Sequence, residues 1–297
     1  GNTLRAVGIE TLIGGTGADI VTLSGAIADG LIDLGAGADR LVIRGGPVTA
    51  RLIGVETVEG GGGDEDLTLT APMTGTIDLM GGQDVLRLAD GGNTLTISGV
   101  ETLVGGSGAD AILLGRAVRD MVVDLGAGAD RLDLAAGGNS LLVAGVETIN
   151  GGAGHDHVTI QGRAENALIS LGAGRDRLIL DDTDDVVRLR GVELLEAGGG
   201  NDQVTLLEPL VGGHLHLGAG NDTVILADGR NVLTIALVET IIGGSGDDAI
   251  VLGSAMPSGR VALGAGPDKL GPPPGGHPPS TPAGEQLVGH GRRGTTT

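Results

Sequence analysis

Apolar and polar residues alternate in short stretches along most of the chain. Val21 and Leu23 form one such pair of apolar positions and Leu41 and Ile43 another, each set off by a glycine-rich break. A period of two predicts strands with one buried face. The breaks read as tight turns, because glycine accepts positive φ and close backbone approach without steric cost. No helical period is present, so the prediction is an all-β chain.

The alternation is itself repeated. IETLIGGTGADIVTL, from Ile9 to Leu23, recurs with variations from Val55, Val100, Val146, Val192 and Val238, giving six A loops spaced 45 or 46 residues apart. Between them lies a second series, beginning LGAGADRLVI at Leu34 and continuing from Leu79, Leu125, Leu171, Leu217 and Leu263; these are the B loops. An acidic residue closes every loop: Asp19, Glu65, Asp110, Asp156, Asp202 and Asp248 in A, and Asp39, Asp84, Asp130, Asp176, Asp222 and Asp268 in B.

No single unit has enough apolar surface to fold alone, so successive units must stack. The expected fold is a parallel β-roll or β-solenoid of about twelve coils, each about 23 residues long, half the repeat. In that arrangement A and B loops alternate up one edge, connecting segments run along the other, and there is room for one row of ions. The roll is expected over residues 1–270, with a disordered Pro/Gly-rich tail over 271–297 that holds 6 of the 11 prolines.

Composition narrows the chemistry. The 297 residues include 60 glycines but no Phe, Tyr, Trp or Cys, so the core must be built from Leu, Ile, Val and Ala, and thiol chemistry and disulfides are excluded. Acidic residues outnumber basic ones 38 to 18, for a net charge of −20. Such a field repels nucleic acid and attracts small multivalent cations. No apolar run is long enough for a membrane span. The chain opens at Gly1 without a signal-like segment and reads as a piece of a longer protein.

GGTGADIVT (Gly14 to Thr22), GGSGADAIL (Gly105 to Leu113) and GGSGDDAIV (Gly243 to Val251) fit the pattern GGxGxDxUx. The chain thus resembles the RTX, or hemolysin-type, calcium-binding repeat proteins, with degenerate repeats. That resemblance implies a β-roll in a secreted bacterial protein, with Ca2+ held between glycine turns by the motif Asp and backbone carbonyls. Carried over, it makes Asp19, Asp110 and Asp248 the foremost metal ligands, followed by Asp156 and then by the other eight acidic positions named above. Supporting carbonyls would come from Gly14, Gly15, Gly17, Gly105, Gly106, Gly108, Gly151, Gly152, Gly154, Gly243, Gly244 and Gly246. The chain departs from the pattern at Glu65, at Met80 and Gly81, and at Pro267, and each B loop has Leu in place of the first glycine. The bland alternative is that these acidic residues only cap turns.

The resemblance implies an extracellular or cell-surface module that folds on binding calcium and acts as a spacer or scaffold, with flanking domains or matrix components as partners. A calcium-independent adhesin stalk or interaction surface is the alternative, and a β-helix polysaccharide-active enzyme comes third. No nucleophile motif or phosphate loop occurs, and there are no aromatic rings to line a sugar cleft. Glu10, Glu56, Glu101, Glu147, Glu193 and Glu239 form a column in the A units, read as a solvated face or as bonding to a neighbouring turn. His155, His157, His214 and His216 read as exposed polar residues, and Asp181, Asp182, Asp184 and Asp185 as a solvated loop.

Overall fold

The computed structural model describes residues 1–273. From residue 274 onward, the expected tail lies outside the described residues. Its first residue, Gly271, belongs to the strand Lys269–Gly271, which pairs with Ala249–Leu252. Thirty strands and no helix occur among the described residues, and no described helix could cross a membrane. The chain divides into two compact units, Gly1–Asn150 and Gly151 onward.

In the first unit successive strands alternate between two parallel sheets, and each pairs with the next strand but one. Thr3–Val7 pairs with Ile20–Ser24, then Arg40–Arg44, then Thr57–Glu59. On the other sheet Thr11–Thr16 pairs with Ile27–Ala36, then Val48–Ile53, then Glu65–Leu69. The second unit repeats the scheme, with His157–Ile160, Arg177–Ile179, Leu194–Glu196 and Val211–His216 in one sheet and Glu165–Ala173, Val186–Arg190, Gln203–Leu206 and Thr223–Ile225 in the other. Each unit is therefore a parallel β-solenoid, as the alternation predicts.

The strand registers correct the coil length. Thr3 lies beside Ile20, Ile20 beside Arg40 and Arg40 beside Thr57, so coils measure 17 or 20 residues rather than 23. Two coils use 37 of the 46 residues in a repeat, and the remaining nine make half a coil. That half-coil moves the next repeat to the opposite edge. The first A and B loops both lead from the sheet of Thr11–Thr16 to that of Ile20–Ser24, whereas the second pair, at Glu65 and Asp84, leads back the other way, and the third returns to the first edge. Loops therefore occupy both edges of the unit, and the expectation of a single loop-bearing edge is overturned. In the second unit the pair at Asp202 and Asp222 likewise lies opposite the pair at Asp248 and Asp268.

Between the sheets, inward side chains stack in register. One column runs Leu67, Leu86, Leu103, Val123, Val143 and another runs Val21, Leu41, Val58, Ile77, Ile97, Leu114. All are at most 2% exposed. In the second unit Val158, Leu178, Leu195, Leu215, Ile235 and Leu252 do the same. Aliphatic residues of similar volume at every level fill a narrow core that has no room for rings. Leu86→Ala is expected to cost about 2–5 kcal/mol, read as a lowered denaturation midpoint at unchanged cooperativity.

Candidate metal centre

Each loop carries its acidic residue inward at the point where the chain crosses from one sheet to the other. Eleven of the twelve predicted positions are at most 3% exposed: Asp19, Asp39, Glu65, Asp84, Asp110, Asp130, Asp156, Asp176, Asp202, Asp222 and Asp248. Asp268, near the end of the described chain, is half-buried. The side chains form ladders that bond one coil to the next rather than capping their own turns. Asp110 N donates to Asp130 Oδ1 (2.7 Å), and Asp130 N donates to Glu147 Oε2 (2.7 Å). The same links join Asp19 to Asp39 and Asp39 to Glu56, Glu65 to Asp84 and Asp84 to Glu101, Asp156 to Asp176 and Asp176 to Glu193, Asp202 to Asp222 and Asp222 to Glu239, and Asp248 to Asp268.

The Glu column of the sequence thus ends the ladder in five repeats, so its role is bonding to a neighbouring turn. At the other end the sequence reading missed a rung. Asn93 N donates to Asp110 Oδ1 (2.7 Å), Asn231 N to Asp248 Oδ1 (2.9 Å), and Asp185 N to Asp202 Oδ1 (2.9 Å). These residues close a third loop type: Leu88–Asn93, Leu134–Asn139, Leu180–Asp185 and Leu226–Asn231. Its signal was available in the 46-residue spacing of these segments, which read Leu-Ala-Asp-Gly-x-Asn at Leu88 and Leu226 and vary from that at Leu134 and Leu180. Asp90 and Asp228 of these loops also accept the backbone N–H and hydroxyl of Ser107 and Ser245.

Glycine is required where loop stacks on loop. A Cβ added to Gly128 would overlap the Gly108 carbonyl oxygen and lie 2.7 Å from Asp130 Oδ1. Equivalent crowding recurs at Gly37 against Gly17 and Asp39, and at Gly174 against Gly154 and Asp176. An A-loop carbonyl and a B-loop carboxylate therefore converge beside each of these glycines. The Gly106 and Gly244 carbonyls accept N–H groups from Ala127 and Ala265, which leaves each oxygen a second lone pair. The degenerate B loop keeps its shape because Met80 takes φ 69°, the conformation held by glycine in the loops at Gly35 and Gly126.

Many of the rungs leave a carboxylate oxygen without a donor. Oδ2 of Asp39, Asp84, Asp110, Asp130, Asp176, Asp202, Asp222 and Asp248 is buried with no hydrogen-bond partner, as are both carboxylate oxygens of Glu65. A buried anionic oxygen without a donor calls for a positive charge. Among the described residues no three His, Cys, Asp or Glu side chains converge on one point. Any oxygen shell here would consist of one or two carboxylates completed by turn carbonyls. That donor set fits a large hard cation and is poor for zinc or other nitrogen- and sulfur-seeking metals. His157 and His214 fall in one column with Arg177 and Leu194 between them; His155, His214 and His216 are exposed as expected, whereas His157 is half-buried with its Nε2 shielded from solvent.

Burial is the largest effect on Glu65, Asp84, Asp130, Asp176, Asp202 and Asp222 and raises their carboxyl pKa values, with neighbouring carboxylates adding to it. Glu65 and Asp202 are pushed up to about 7, and Asp84 and Asp176 to about 6. Asp19 moves the other way, chiefly because the Asn2 backbone N–H bonds its charged form. Folding therefore raises the proton affinity of the central rungs. Without metal, their contribution to stability is complete below the unfolded carboxyl range near pH 4 and is lost as pH rises through 6 to 7. Circular dichroism melts in chelator should show a midpoint falling by several degrees from pH 5 to pH 8, with a shallower slope in Glu65→Gln. A flat or rising midpoint would contradict this assignment.

A family model for the RTX calcium-binding nonapeptide repeat matches in four copies, over residues 7–26, 97–116, 143–178, 214–233 and 239–254. These segments include Asp19, Asp110, Asp156, Asp176, Asp222 and Asp248. No curated protein matches the sequence. Among solved structures, a hyperactive, Ca2+-dependent, β-helical antifreeze protein from an Antarctic bacterium is similar at 19% identity and a TM-score of 0.25, covering 91% of this chain and 83% of that one. Over those repeat segments the β-solenoid carries repeats that match the RTX calcium-binding nonapeptide model.

Proposed function

We propose that the chain is a calcium-binding module of a larger extracellular bacterial protein, completing its fold on binding Ca2+ and serving as a spacer or scaffold. The observation that carries this reading is the row of buried carboxylates, most of them with a donorless oxygen, set beside stacked glycine turns. A cation satisfies that oxygen as a proton does, but remains available at neutral pH. Calcium takes six to eight oxygens in flexible geometry, which a carbonyl-rich turn can supply; magnesium's stricter octahedron fits such turns less well. Because the rungs come together only in the folded chain, binding energy is folding energy. The extracellular setting is supported by the matched RTX repeats and by the scarcity of calcium in the cytosol. The role is binding and structure rather than catalysis.

The hydrogen-bonded rungs and continuous aliphatic stacks also favour a second reading, a calcium-independent stalk or interaction surface that is complete without ions. The two separate cleanly by far-UV circular dichroism of chelator-treated protein titrated with calcium, with magnesium as control. The expected result at pH 7.5 is a cooperative gain of β signal specific to calcium, together with a midpoint increase of at least about 10 °C, the scale of a few kcal/mol of linked binding energy. A full β spectrum in chelator with a calcium-insensitive midpoint would leave the stalk.

A further inference from the structure

Asp185 occupies a position that is asparagine in three other repeats, and the exchange removes a donor that the site uses. In those repeats the asparagine amide is fully engaged. Asn93 Nδ2 donates to Ala89 O (3.0 Å), Gly91 O (3.0 Å) and Asp110 Oδ1 (2.8 Å), and Asn231 Nδ2 donates to Ala227 O (2.9 Å), Gly229 O (3.2 Å) and Asp248 Oδ1 (2.9 Å). Asn139 Nδ2 likewise reaches Ala135 O and Gly137 O, both at 2.9 Å. The amide stands where oxygens converge, and its two hydrogens are the positive charge there.

Asp185 is held in the same pose. Its Oδ1 accepts Ala164 N (2.6 Å) as Asn93 Oδ1 accepts Met73 N (3.0 Å), and its own N–H donates to Asp202 Oδ1 (2.9 Å). The loop backbone also corresponds: added Cβ atoms on Gly198 and Gly200 would meet the Asp181 and Thr183 carbonyl oxygens, as those on Gly106 and Gly108 would meet Ala89 and Gly91. Oδ2 therefore takes the place of the amide nitrogen, and it is buried with no partner on a residue 1% exposed. No cationic side chain bonds to it, and the Coulombic pull of Arg163 is outweighed by burial. Arg163 is committed to Asp184 O (2.7 Å) and Glu165 (3.0 Å), while Asp181 accepts Gly162 N and Thr183 N and Oγ1.

We propose that Asp185 Oδ2, Asp202 Oδ1 and the carbonyls of Asp181 and Thr183 form a calcium site in this loop, and that the asparagine amide replaces the ion in the loops of Asn93, Asn139 and Asn231. This site lies outside the matched repeat segments and does not depend on ion binding by the glycine turns.

The test is calcium titration by calorimetry on the full chain after chelator treatment, with melts in chelator, for wild type, Asp185→Asn and Asn93→Asp. Asp185→Asn should bind one calcium fewer per chain and melt higher than wild type in chelator at pH 7.5. Asn93→Asp should bind one calcium more and melt lower in chelator. Equal stoichiometry in wild type and Asp185→Asn overturns the proposal, whether a proton or nothing fills the gap, even if the glycine turns bind calcium. A single wild-type ion that Asp185→Asn abolishes would support this site while removing the glycine-turn reading. If no variant binds calcium, both readings fail.

Discussion

The structure depends on a hydrogen bond that crosses from coil to coil: the backbone N–H of each inward acidic residue donates to the carboxylate of the next rung. A solenoid corner must turn the chain from one sheet to the other, and there the backbone N–H leaves the strand ladder. Leaving it unpaired in an apolar interior would cost more than an ordinary hydrogen bond gains. A short acidic side chain from the adjacent coil meets that need and fixes the vertical register. A charged acceptor makes each link stronger than a neutral one, and at corners such as Asp110, Asp130 and Asp202 it also brings a second oxygen that nothing there satisfies.

That second oxygen connects architecture to chemistry. A ladder of amides would be closed and inert, as the asparagine rungs show on a small scale, since Asn93 and Asn231 satisfy the carbonyls around them with their own hydrogens. A ladder of carboxylates is open: it holds protons when acidic and attracts cations when neutral. The alternation of asparagine, aspartate, aspartate and glutamate along the edge therefore sets where positive charge is built in and where it must be recruited. Glycine completes the arrangement, because the stacked turns approach too closely for a side chain at positions such as Gly128.

The aliphatic columns supply the cohesion the corners cannot. With no aromatic residue available, each level is filled by Leu, Ile or Val stacked on its like, and a change at one level is felt chiefly by the coils above and below. Surface pairs such as Arg44 with Glu59 (2.6 Å) and Arg177 with Glu196 (2.9 Å) are solvent-exposed on the arginine side and contribute little by comparison.

The sequence by itself determined the all-β stacked fold, the buried aliphatic positions and the twelve acidic residues, because the two-residue period and the 46-residue repeat are local patterns that only strands and turns of this kind satisfy. It left the glutamate column open between a solvated face and a bond to a neighbouring turn. Tertiary structure decided the length of a coil, and hence which loops share an edge. The motif spacing counts residues between loops, whereas coil length is set by strand pairing, and 46 residues close two and a half coils rather than two. For the same reason the loops ending at Asn93, Asn139, Asp185 and Asn231 passed as connecting segments, and Asp185 as one of four solvated acids. Only the stacking of 17- and 20-residue coils brings Asp185 beneath Asp202 and turns an exposed-looking charge run into a buried rung.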